Sequence, residues 1–178
     1  MKARHLTTLA LLTAIALILF TVEAQIPPPV PIPGVKLGLA NIITVYVMFR
    51  HGPRDALLVL LARVLLGSMF AGAAVTLLFS LGGGLLCWLV MLGLRRVLTE
   101  RQLWVCGVLG AMAHNVGQIA VCVAVYGTTA VLVYLPALLL AGMAAGLFTG
   151  LAAQYLLARL RRSPGFSEAA QSGGGRQS

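Results

Sequence analysis

The sequence predicts an all-α, polytopic membrane protein with six transmembrane helices, and three observations carry that expectation. Apolar segments follow one another along nearly the whole length: 60% of the 178 residues are hydrophobic and 10% charged, with a mean hydropathy of +0.97. Soluble domains carry about a quarter charged residues. The runs are continuous rather than alternating, which excludes a β-barrel. The cations gather in short clusters between the runs, where they act as topology signals and meet anionic headgroups. The net charge of +9 therefore implies membrane lipid as a partner and argues against nucleic acid, which needs a basic patch or stripe.

The first segment, Leu6 to Val22, follows the basic start Met1-Lys2-Ala3-Arg4. Val22-Glu23-Ala24 loosely resembles a signal-peptide cleavage site, but the run is long for a signal core, so a retained helix is the preferred reading. Ala10 and Ala14 form a small-xxx-small pair on one face, which lets another helix approach closely. Five prolines between Pro27 and Pro33 then forbid a regular helix, because each lacks an N–H donor and clashes with the preceding turn. PPPVPIP reads as a stiff polyproline-like strap. Lys36 is the only cation between the first two segments, and Gly38 and Asn41 sit at the mouth of the next helix.

Leu37 to Phe49, with its Val35-Lys36 shoulder, approaches the roughly 17 residues a span requires. It ends at Arg50-His51-Gly52-Pro53-Arg54-Asp55, a polar turn with both helix breakers. Ala56 to Phe79 is the expected third span, with Arg63 roughly two turns, or about 12 Å, inside it. Arg63 there either snorkels to the surface, pairs internally or contacts substrate. Glu23, at the far end of the first helix, either pairs with Lys36 or is solvated. Ser80-Leu81-Gly82-Gly83-Gly84 reads as a flexible turn leading into a fourth span ending near Leu94. Gln102–Tyr126 and Val131–Ala158 complete the six, and the Gly/Ser-rich stretch from Ser163 reads as a disordered tail. The domain division is thus a transmembrane domain over 1–162 and a cytoplasmic tail over 163–178.

Counting cations orients the chain. Eleven (Lys2, Arg4, Arg50, Arg54, Arg95, Arg96, Arg101, Arg159, Arg161, Arg162, Arg176) fall on one side and Lys36 alone on the other. The positive-inside rule then places both termini in the cytoplasm and the proline strap on the outer face.

Chemistry-bearing residues are few. His114 and Gln118 are four apart on the fifth segment and share a helical face, with Asn115 beside them. Such side chains deep in a membrane face a cavity or a partner, so they serve either a binding site or interhelical hydrogen bonding. With Asn41, Gly38 and Lys36 they make up the expected substrate contacts. Cys87, Cys106 and Cys122 lie in apolar runs without metal-type spacing and read as small buried hydrophobes. Gly142, Gly146 and Gly150 form a stripe for tight packing within the bundle, with a dimer seam the lesser reading. The four acids, Glu23, Asp55, Glu100 and Glu168, make no acidic magnesium motif, and no Gly-x-x-x-x-Gly-Lys loop is present to cradle ATP. A non-enzyme without a resident cofactor or metal is expected.

Three strings identify a resemblance: Pro-Gly-Val-Lys-Leu-Gly-Leu-Ala-Asn (33–41), Ala-Arg-Val-Leu-Leu-Gly (62–67) and Gly-Ala-Met-Ala-His-Asn-Val-Gly-Gln (110–118). They resemble the Gx transporter family, also named heptaprenyl diphosphate synthase component I, over about residues 6–158. That family resembles the substrate-binding (S) components of energy-coupling factor (ECF) transporters. The resemblance implies six helices, an outer-face substrate chamber for a small organic molecule, and a T component with two ATPases docked on Ala10 and Ala14. It leaves open two other roles: an accessory subunit to a separate prenyl diphosphate synthase, and a membrane component of flavin or quinone electron transfer.

Overall fold

A computed structural model describes residues 3–26, 38–71, 74–99 and 102–162. Among them are six α-helices and no strand: α1 (Ala3–Ala24), α2 (Asn41–Arg50), α3 (Pro53–Ala71), α4 (Ala74–Leu94), α5 (Leu103–Tyr126) and α6 (Leu135–Arg162), the last preceded by a 3₁₀ turn over Ala130–Tyr134. The proline-rich strap, Lys36 and the tail from Ser163 lie outside the described residues.

Four helical segments are long and apolar enough to cross a membrane: Ala3–Ala24, Val75–Leu94, Leu103–Tyr126 and Ala130–Arg159. The chain is a multi-pass membrane protein. Helix α2, at 10 residues, rises only about 15 Å, half a hydrocarbon core. Helix α3 is long enough but carries Arg54, Asp55 and Arg63. Threonines on α1 return their hydroxyls to the preceding turn, Thr13 to the Leu9 carbonyl at 2.8 Å and Thr21 to Leu17 at 2.9 Å. A hydroxyl satisfied within its own helix can lie in an apolar medium without a penalty.

One expectation is overturned. Ser80–Gly84 is no turn: all five residues are helical and lie inside α4, and the third helix ends at Ala71. Three glycines read as breakers when water competes for the backbone. Where apolar packing surrounds the chain, helical hydrogen bonds are the only way to satisfy that backbone, and the missing side chains bring helices together. The third helix ends at Ala71 and the fourth begins at Ala74.

Helix α5 is the centre of the bundle and packs most extensively on α4 and α6. On the α6 side, a Cβ at Gly146 would come within 2.6 Å of the Gly107 carbonyl oxygen. Backbone meets backbone there, so the glycine stripe of α6 is spent on packing inside the bundle. The three cysteines are buried and free, as expected of small core residues. A larger apolar cluster joins α1, α2, α3, α4, α5 and α6 around Val45, Val47, Met48, Val59, Met91 and Leu103.

Candidate functional site

The polar interior sits where α1, α2, α3, α4 and α5 converge. Glu23, Asn41, Arg63, His114 and Gln118 are all at most 4% exposed. Helix propensity does not put them there. Each lies on a strongly apolar helix, and burying a charge or amide in such a core is costly unless it finds partners.

The partners come from different helices. Gly38, with φ of +83°, begins the turn into α2, and its N–H donates to the Glu23 carboxylate at the end of α1. The left-handed backbone suits glycine. Space demands it as well: a Cβ would lie 2.7 Å from Asn41 Nδ2 and 3.2 Å from His114 Cδ2. Arg63 Nη2 donates to Asn41 Oδ1 at 3.3 Å, and Glu23 lies within electrostatic reach of the same guanidinium. The imidazole of His114 is hydrogen-bonded to the Gly83 backbone. Gly83 lies directly against it, since a Cβ there would be 2.8 Å from the His114 carbonyl oxygen and 2.9 Å from Gln118 Cγ. Gly82 and Gly83 of α4 are thus the floor on which α5 rests.

Phe20, Glu23, Gly38, Arg63, Ser80 and His114 enclose a cavity of about 10 Å³, room for about one water. Three buried polar atoms around this centre, Asn41 Nδ2, Arg63 Nε and His114 Nδ1, have no hydrogen-bond partner among the described residues.

Of the expected contacts, Gly38, Asn41, His114 and Gln118 are brought together. Asn115 is not: its Nδ2 turns toward α6 and donates to the Leu138 carbonyl at 2.6 Å. Lys36 lies outside the described residues. Glu23 is buried and not solvated, and Arg63 is paired internally instead of snorkelling. Both belong at the centre of the site, and one signal could have found them: an acid ending one apolar helix and a cation inside another each need a partner when buried.

A second feature lies on the bundle's flank. Leu6, Leu9, Ala10, Thr13, Ala14 and Leu17 of α1 face Leu58, Val59, Ala62 and Leu66 of α3 across an open apolar groove of about 580 Å³. The small side chains of Ala10, Ala14 and Ala62 make it a groove where larger residues would close it. Leu58, Ala62 and Leu66 form an i, i+4 row, and exposed Arg54 continues that row by one turn toward the start of α3.

No curated protein and no solved structure matches the chain. A family model does: the one described as Heptaprenyl diphosphate synthase component I matches residues 12–156, from the middle of α1 to near the end of α6. The match takes in Glu23, Gly38, Asn41, Arg63, His114 and Gln118. The chain belongs to the heptaprenyl diphosphate synthase component I family.

Proposed function

We propose that this chain is a non-catalytic membrane subunit that serves a separate prenyl diphosphate synthase and holds its amphiphilic product in the groove between α1 and α3. The observation that supports this reading is the row Arg54, Leu58, Ala62, Leu66. It runs from an exposed cation into an apolar trough of about 580 Å³. A prenyl diphosphate has that same polarity, an anionic head on an apolar tail. The guanidinium meets the diphosphate with charge-assisted hydrogen bonds, and the tail covers leucines that otherwise face lipid. Both termini and Arg54 are then cytoplasmic at the inner (plasma) membrane, by the excess of cations on that side. The head faces the compartment where a soluble synthase works.

A photoactivatable prenyl diphosphate tests this. It is expected to label α1 and α3 in detergent-solubilised protein, and Arg54→Glu is expected to reduce labelling about tenfold or more, by replacing attraction with repulsion. Labelling spread over all helices and indifferent to Arg54 defeats the reading.

The buried polar cluster supports a second reading, an ECF S-component-like subunit that takes up a small organic molecule. Glu23, Asn41, Arg63, His114 and Gln118 supply the hydrogen bonds, and Ala10 and Ala14 supply the docking face for a T component and its ATPases. A cavity with room for about one water is the closed form of such a chamber. Admission of a larger substrate requires the contact between Glu23 and Gly38 to open. Co-purification of the chain with ATPases supports this reading; its absence, together with prenyl labelling, favours the first.

A further inference from the structure

His5, His51 and Asp55 lie far apart in sequence and together in space. His5 is in the first turn of α1, His51 directly follows α2, and Asp55 is in the first turn of α3. One ligand atom from each falls within 4.8 Å of the others. His5 Nε2 and Asp55 Oδ2 are already 3.1 Å apart, and the two imidazole rings are 5.8 Å apart centre to centre.

We propose that these three side chains form a binding site for one first-row divalent cation, with Zn²⁺ the best fit, which clamps the start of α1 to the turn between α2 and α3. Around a tetrahedral Zn²⁺ with bonds of about 2.0–2.1 Å, neighbouring ligand atoms stand roughly 3.3 Å apart. The His5–Asp55 pair is near that spacing at 3.1 Å, and the His51 ring has to close by at most about 1.5 Å from the 4.8 Å limit. The donor set selects the metal class. Ca²⁺ takes six to eight oxygens and Mg²⁺ an oxygen shell, and this site offers a single carboxylate. Two imidazoles and a carboxylate suit zinc and its neighbours. Arg50 lies within electrostatic reach of His51 and Arg54 lines the same pocket, which further disfavours a weakly held hard cation.

Three protein ligands leave a fourth position. His51 and Asp55 both line an open pocket of about 470 Å³ together with Gly52, Pro53 and Arg54, so water or an anion can complete the shell. The clamp has a structural consequence. Helix α1 carries one wall of the apolar groove, and a metal that fixes its first turn to α3 fixes the width of that groove. The metal site itself stands independently of what the groove holds.

The test uses full-length protein in detergent, its affinity tag free of histidine and cleaved off, stripped with EDTA and titrated with Zn²⁺ against a chromophoric chelator. One Zn²⁺ per chain is expected, held at least about tenfold more weakly by His5→Ala and by Asp55→Asn. Co²⁺ in place of Zn²⁺ is expected to give visible absorption that His5→Ala abolishes. Failure to compete with the chelator, or equal affinity in wild type and both variants, overturns the site and leaves His5 and Asp55 as an ion pair only. Their side chains are 35% and 16% exposed, so both variants are expected to fold, as thermal unfolding checks. Should His5→Ala unfold, His5→Gln is read by the same two outcomes.

Discussion

The backbone N–H of Gly38 donates to the Glu23 carboxylate, so the chain on either side of the proline-rich stretch is fastened together at the buried centre of the bundle. That bond places an acid beside Arg63, and it makes the entrance to α2 part of the polar site. Removal of the acid therefore does more than delete a contact.

Glu23→Ala leaves the Arg63 guanidinium buried without its counter-charge, and loss of about 3 kcal/mol of stability is expected from breaking one side of a buried pair. The double variant Glu23→Leu with Arg63→Met is expected to recover most of that loss, because it removes both charges and keeps the volume. Thermal unfolding of the wild type, Glu23→Leu, Arg63→Met and the double variant in one detergent completes the cycle. Additive losses in the double variant show that the two residues act separately.

Gly83→Ala is expected to destabilise the bundle by about 1–3 kcal/mol, the usual cost of overpacking a tight interface. Its methyl group meets the His114 carbonyl at 2.8 Å, whereas Gly93 has nothing within 4 Å of a Cβ. Gly93→Ala is the control, expected to change stability by no more than about 0.5 kcal/mol. Equal unfolding temperatures for the two variants would show that α4 and α5 have slack at Gly83.

Asn115→Leu removes the bond from Nδ2 to the Leu138 carbonyl and is expected to cost about 1 kcal/mol, in the range of interhelical polar contacts in membranes. Gln118→Leu acts where α5 meets α4 and is expected to weaken binding of a small polar ligand with folding intact. Ligand affinity that falls equally in both variants refutes this division of α5 into a packing face and a binding face.

Ala10→Trp fills the α1–α3 groove from an exposed position, so stability is expected to change by no more than about 0.5 kcal/mol. Prenyl photolabelling, or co-purification of a partner, is expected to fall severalfold. Unaltered labelling and unaltered partner recovery remove any role for the groove.

Composition and the spacing of apolar runs determined by themselves that this is a helical membrane protein. They also determined that α5 carries the polar face, and that Ala10 and Ala14 leave a notch in α1. These are local properties: hydropathy over a window and residues four apart on one helix follow from the chain alone. Only the tertiary structure decided the use of the glycines. Ser80–Gly84 reads as a turn until α5 is seen lying against it, because a glycine run that breaks a helix in water is the closest-packing surface available between two membrane helices. The tertiary structure alone also set Asn115 against α6 and Gln118 against α4, and brought Glu23 within electrostatic reach of Arg63. Residues three apart lie only about 60° apart around a helix, and which neighbour each then meets depends on helices distant in sequence. The charges were legible as residues that need partners, but the identity of each partner is a property of packing.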